Sequence, residues 1–132
     1  MRLIIASLII SFAQPAIAEP VYLSCRGTSK KETGTWELTI KPGSDTGLVS
    51  EITKKGAVYS SRKLPLFISD STYTLQGTEV KSFATLNTTF KVNRVDGNYV
   101  HKFWMTNTGL SPRPPIVYRG KCIKKQPVKT IF

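Results

Sequence analysis

The segment TWELTIKPGSDTG, residues 35–47, contains the pattern that decides the fold. Within it, Trp36, Leu38 and Ile40 alternate with polar residues, and a run rich in Pro, Gly, Ser and Asp follows. Alternation with a period of two is typical of a β-strand with one buried face, whereas the residues that follow favour a turn. The segment therefore predicts a strand that ends at a turn.

The same pattern recurs along the chain, and no window has a convincing helical period. Short strands separated by turn signals are typical of a sandwich or a barrel. We therefore predict an all-β fold, a single small antiparallel β-barrel or sandwich of about eight short strands, with the terminal strands joined by a disulfide. The alternating segments are residues 21–26, 35–41, 48–53, 57–63, 64–69, 72–76, 83–94, 99–105 and 116–122.

The N-terminal residues have the composition of a secretory signal. Arg2 precedes an apolar run, and the small residues of Ala16-Ile17-Ala18 follow it. This order predicts a signal peptide, residues 1–18, cleaved between Ala18 and Glu19. A membrane anchor is the alternative, but a span needs about 20 apolar residues and this run is shorter. We expect an exported protein, periplasmic or extracellular, with no transmembrane span after cleavage, a β domain over residues 19–122 and a basic tail over residues 123–132.

The two cysteines, Cys25 and Cys122, lie near the two ends of the predicted domain. In an exported protein, two cysteines are first interpreted as one disulfide. Two free thiols, or a bond to another chain, are the alternatives. Two cysteines and one distant histidine do not form a zinc site, so we expect no metal and no cofactor.

Two features suggest catalysis, and neither is sufficient. Asp45-Thr46-Gly47 spells the triplet of aspartic proteases, but it follows a turn instead of an apolar strand. His101 is the only histidine, and the sequence has no G-x-S-x-G motif that would supply it with a nucleophile. We therefore expect no enzymatic activity.

One hairpin can be predicted in detail, because Asp96-Gly97 is a two-residue turn signal. If these are the two central residues, Val92 lies opposite His101 and both lie on an apolar face. On the other face, Lys91 is then directly opposite Lys102, beside Trp104. Like charges at opposed positions repel, so an anion between the two lysines would relieve the repulsion.

The positive charge is the most informative functional feature. The sequence has 19 Lys and Arg against 8 Asp and Glu, a formal net charge of +11, and the predicted cleavage removes one of these cations. Such a charge attracts polyanions. For an exported protein we expect the binding partner to be an anionic polymer, a lipid surface or an acidic protein, and not a nucleic acid. The sequence leaves the oligomeric state open.

Three short motifs lie in the first predicted strand, the hairpin turn and the last predicted strand: Y-L-x-C at residues 22–25, N-R-x-x-G at residues 93–97 and a late G-x-C at residues 120–122. Together they resemble the motifs of small exported β-domain proteins from marine cyanobacteria and phages. This resemblance implies a single exported β domain and no particular activity. Gly34-Thr35-Trp36 also resembles the G-x-W marker of lipocalins, which implies a barrel with a ligand cavity.

We therefore rank three functional hypotheses. The first is a non-enzymatic module that binds an anionic or amphiphilic partner of the cell envelope through Lys91, Lys102 and Trp104. The second is a lipocalin-like carrier of a small apolar ligand, with Arg94, Tyr99 and His101 near one mouth of the cavity. Tyr99, Phe103 and Met105 would line it. The third is a periplasmic enzyme inhibitor that uses the loop of residues 107–115.

Overall fold

The computed structural model describes residues 19–109 and 113–125. The predicted signal peptide, with Ala18, lies outside the described residues. So do residues 110–112 of the predicted inhibitory loop and residues 126–132 of the predicted tail.

The described residues form eight strands that close into one antiparallel barrel. Each strand pairs with the next along the chain, and the last pairs with the first. The predicted all-β fold is therefore confirmed, with a barrel and not a sandwich as its form. The strands are β1 Val21–Thr28, β2 Thr33–Ile40, β3 Thr46–Ile52, β4 Val58–Ile68, β5 Thr72–Val80, β6 Thr85–Asn93, β7 Asn98–Thr106 and β8 Ile116–Lys124.

Strand β4 merges two segments that the sequence pattern separates, residues 57–63 and 64–69. Its ladder with β5 contains only three pairs, Leu66–Ile68 against residues 73–75. Pro65 has no N–H to donate, and it directly precedes this short ladder. The chain stays extended through Pro65 because β4 is paired with β3 on its other side, from Val58 to Pro65.

The core lies inside the barrel and follows the alternation of the strands. Trp36, Leu38 and Ile40 are all buried, as the opening segment predicts. The largest fully buried side chains are Tyr99 and Phe90, whose rings stack with centroids 5.6 Å apart. Aromatic side chains therefore fill the middle of the barrel.

Closure of the barrel occurs between β1 and β8. Cys25 and Cys122 are directly paired in the ladder and form a disulfide, with Cα atoms 3.9 Å apart. The predicted disulfide between terminal strands is therefore confirmed; such bonds persist in oxidising environments. Two residues away along this ladder, Gly27 pairs with Gly120. A Cβ at Gly120 would lie 2.0 Å from the carbonyl oxygen of Arg26, so the close approach of the two strands requires glycine.

Candidate functional site: a basic face on the barrel

The three residues predicted to bind an anion lie on β6 and β7, but their arrangement differs from the prediction. Lys91 is paired with Val100, and Lys102 is paired with Thr89. The predicted pair of Lys91 with Lys102 is therefore wrong, although both lysines are exposed on the same outer face.

The cause is the loop between β6 and β7, which has four residues instead of two. The side-chain oxygen of Asn93 accepts hydrogen bonds from the N–H groups of Val95, at 2.8 Å, and Asp96, at 3.2 Å. Gly97 adopts a φ of 78° and donates its N–H to the carbonyl oxygen of Asn93 at 3.0 Å. The register shifts by two residues, so every side chain keeps its predicted face. Only the opposed partners change.

Trp104 has a partner within the protein. The ammonium nitrogen of Lys102 lies 5.2 Å from the centroid of the Trp104 ring, a cation–π contact. Trp104 is half-buried. The ring and the lysine therefore form one unit, in which the cation already covers part of the flat surface of the ring.

Strand β8 brings to this face two cations that the sequence analysis did not select. Arg119 is paired with Val100, which is itself paired with Lys91 on the next strand. Lys121 lies between Asn98 of β7 and Arg26 of β1. A signal was present in the sequence, because Arg119 and Lys121 alternate with Gly120 and Cys122 in the last strand. It did not show which strands would lie beside them.

We call the exposed cations on the outer face of β1, β6, β7 and β8 the basic face: Arg26, Lys91, Lys102, Arg119 and Lys121. A groove of about 600 Å³ crosses its centre. Three of the five cations line this groove, and two asparagines add amide groups that can donate hydrogen bonds. The polar side chains that line it are Thr72, Lys91, Asn93, Asn98, Arg119 and Lys121.

The charged side chains of the four strands in this half of the barrel are all positive. Strands β1, β6, β7 and β8 contain six Lys and Arg, the sixth being Lys124 at the end of β8, and no Asp or Glu. The ion pairs within the described residues join Arg62 and Lys81 to Glu79, and Lys125 to Glu37. No cation of the basic face takes part in them. These positive charges are therefore not neutralised by a neighbouring carboxylate.

His101 lies inside the barrel and is 7 % exposed. Its ring stacks on Phe90, with centroids 4.1 Å apart, and the edge of Trp36 approaches to 4.8 Å. Burial lowers the pKa of His101 to about 4, and the charge of Arg62 contributes to the shift. The side chain is thus a neutral imidazole at neutral pH. Neither ring nitrogen has a hydrogen-bond partner.

The residues predicted for an apolar carrier do not share one mouth. Arg94 lies in the β6–β7 loop, where it covers the ring of Tyr73 and donates to the carbonyl oxygen of Ser69 at 2.6 Å. Tyr99 is part of the packed core, and burial raises its pKa. Phe103 and Met105 do line a groove of about 390 Å³, beside residues of the β7–β8 loop.

In residues 19–109 and 113–125, no three His, Cys, Asp or Glu side chains are grouped so that they could hold a metal ion. No helix among these residues is long and apolar enough to cross a membrane. Asp45 of the D-T-G triplet is exposed and directly precedes β3, which begins with Thr46 and Gly47. Its carbonyl oxygen accepts the N–H of Leu66.

The fold and the basic face define a disulfide-closed, eight-stranded antiparallel β-barrel with one cationic side. Comparisons of this chain with family models, with curated proteins and with solved structures found no match.

Proposed function

We propose that this protein is an exported, non-enzymatic binding protein whose basic face holds an anionic polymer of the cell envelope, such as an acidic polysaccharide. The observation that carries the proposal is the segregation of charge: four adjacent strands contain six cations and no carboxylate. Export follows from the predicted signal peptide and fits the disulfide.

The curvature of the barrel favours a flexible polymer over a flat lipid surface. Eight strands are spaced around the full circumference of the barrel. The outward-facing side chains of neighbouring strands therefore leave the barrel in directions that differ by about 45°. Lys91 on β6 and Arg26 on β1 are three strands apart, and their directions therefore differ by about 135°. A planar bilayer meets only part of this surface at one time, whereas a polymer chain can follow the curve and contact cations on all four strands.

Within residues 19–109 and 113–125, no cation of the basic face forms an ion pair, and this supports the same proposal. An ion-paired cation has fewer N–H donors left for a new anion, whereas the cations of the basic face share none of their donors with a carboxylate of the described residues. Release of condensed counterions from the polymer favours association, and this contribution weakens as salt rises. We therefore expect binding that is strong at low salt and steeply dependent on salt concentration.

Two triple variants with the same net charge test the proposal by elution from immobilised heparin. The first carries Lys91→Gln, Arg119→Gln and Lys121→Gln in the groove. The control carries Lys54→Gln, Lys55→Gln and Lys63→Gln; these exposed lysines lie in the β3–β4 loop and on β4. We expect the groove variant to elute at much lower salt, with the slope of log K against log salt smaller by about two to three. The control should elute close to the native protein.

Equal losses in the two variants would mean that heparin senses only net charge, and the proposal would be wrong. Vesicles containing anionic lipid provide the second arm of the same experiment. If the groove variant lost vesicle binding but retained heparin binding, a lipid surface would replace the polymer as the partner.

A further inference from the structure

A second site, separate from the basic face, lies inside the barrel at one end. This end carries the loops 29–32, 53–57 and 81–84, together with the C-terminal end of β7 and the N-terminal end of β8. The cavity there, which we call the inner cavity, has a volume of about 190 Å³. That volume corresponds to about six water molecules, so it suits a small molecule and not a lipid. Five strands contribute to its lining, which consists of Trp36, Val49, Glu51, Ser60, Arg62, His101, Phe103, Ile116 and Tyr118.

In the inner cavity, the imidazole of His101 has no hydrogen-bond partner. Its ring is held between Phe90 and Tyr118, and both of its nitrogens are buried without a hydrogen bond. A neutral imidazole has one N–H donor and one acceptor. Buried polar groups in folded proteins are nearly always satisfied, and an exception calls for an explanation. A ligand that accepts the imidazole N–H provides one.

Arg62 supplies a positive charge to the same cavity. Its Nη2 donates to the hydroxyl of Thr88 at 3.0 Å, and its Nη1 lies 3.9 Å from a carboxylate oxygen of Glu79. These contacts use only part of the five N–H donors of a guanidinium group. A carboxylate is the anion whose geometry matches the remaining donors best, because it accepts two parallel hydrogen bonds from one guanidinium.

The other surfaces of the inner cavity restrict the rest of the ligand. Trp36, Phe103 and Tyr118 present aromatic rings, which favour a flat or short apolar body. Tyr118 donates its hydroxyl to a carboxylate oxygen of Glu32 at 3.1 Å, so that hydroxyl is already engaged. Glu51 is exposed, and solvent screens its charge more strongly than the charges within the barrel.

We propose that the inner cavity binds a small aromatic or short-chain carboxylate, with the carboxylate on Arg62 and His101 and the apolar body between Trp36, Phe103 and Tyr118. The site takes one small molecule, whereas the basic face takes a polymer. The two sites use different residues, so each can be removed without the other.

The imidazole resonances of His101 provide the readout, because the chain has a single histidine. Benzoate, benzyl alcohol and benzylamine, which share a ring but differ in charge, are titrated into the native protein up to the millimolar range, where probes of this size bind. We expect benzoate alone to shift the His101 resonances saturably. No saturable shift, or equal shifts with the neutral alcohol or the cationic amine, would overturn the proposal.

Substitutions then locate the site. Arg62→Met should weaken benzoate about tenfold or more. Lys63→Met is the matched control, since Lys63 is the next residue and is exposed on the outside; it should leave the affinity unchanged. An unchanged affinity in Arg62→Met would refute the role of the guanidinium.

Two further variants keep the test independent of folding and of the proposed function. His101→Phe retains a stacked ring, so its thermal midpoint shows whether it folds, and amide resonances of Tyr118 then report the loss of benzoate. Retention of full benzoate affinity by folded His101→Phe would count against the site. The groove variant with Gln at positions 91, 119 and 121 should bind benzoate like the native protein, and a loss there would move the carboxylate to the basic face.

Discussion

The buried imidazole of His101 predicts a specific loss of stability in acid. The unfolded chain binds a proton at this residue with a pKa near 6.5, whereas burial holds the pKa of the folded state at about 4. Between these values the unfolded chain binds more protons than the folded chain. Stability therefore falls as the pH falls through this window. At pH values well below 4 both states are protonated, and the contribution of His101 becomes constant.

The size of the loss follows from the difference between the two pKa values. One pKa unit corresponds to about 1.4 kcal/mol, so the protonation of His101 costs about 3 kcal/mol of unfolding free energy by pH 4. This is a large part of the stability of a domain of this size, which is typically about 5–15 kcal/mol. The charged groups facing the ring across the inner cavity are Arg62 on β4 and Glu51 on β3. Arg62 opposes protonation.

The contribution of His101 to the unfolding free energy can be measured by urea unfolding at pH 7, 5.5 and 4. The native protein and His101→Phe are compared, and circular dichroism follows the unfolding. Carboxylates titrate in both proteins, so their effect cancels in the difference between the two unfolding free energies. We expect that difference to change by about 3 kcal/mol in favour of His101→Phe from pH 7 to pH 4. A difference that stays constant across the three pH values would refute the burial argument for His101.

The remaining predictions concern the closure of the barrel and the β6–β7 loop. Reduction of the Cys25–Cys122 disulfide, which spans 97 residues, should cost up to about 4.7 kcal/mol; differential scanning calorimetry should show a lower midpoint with reductant, and no drop would contradict the estimate. Gly120→Ala should destabilise by about 1–3 kcal/mol, because the new methyl would meet backbone atoms. Gly77→Ala is the control, since a Cβ there would meet only side-chain atoms of Leu64 and Pro65, and equal urea midpoints would disprove the close approach. Asn93→Ala removes two side-chain hydrogen bonds of the loop and should cost about 1 kcal/mol in urea unfolding, whereas a neutral result would show that Gly97 alone sets the register.

Much of the fold could be predicted from local patterns in the sequence. The alternation of Trp36, Leu38 and Ile40 identifies a strand and its buried face, and the positions of Cys25 and Cys122 indicate a bond between the terminal strands. Both inferences succeed because strand periodicity is a property of neighbouring residues. The pattern also placed His101 on the apolar face, where the structure finds it.

The register of the β6–β7 hairpin could not be predicted from the local sequence. The Asp96-Gly97 pair is a valid turn signal, but the side chain of Asn93 accepts two backbone hydrogen bonds and selects a four-residue loop. The sequence contains both turn signals, and only the competition between them in the folded chain decides the register. As a result Lys91 lies opposite Val100 and not opposite Lys102.

The assembly of both candidate sites depends on the tertiary structure. Lys91 belongs with Arg119 and Lys121 because β8 enters the barrel between β7 and β1. Arg62 and His101 are on strands three positions apart in the barrel and meet only across its interior. The sequence by itself determined the strands, their buried faces and the bond between the first and the last. Barrel closure decided which cations are neighbours and which polar groups share a cavity, because strand order and curvature set the distances between residues far apart in the chain.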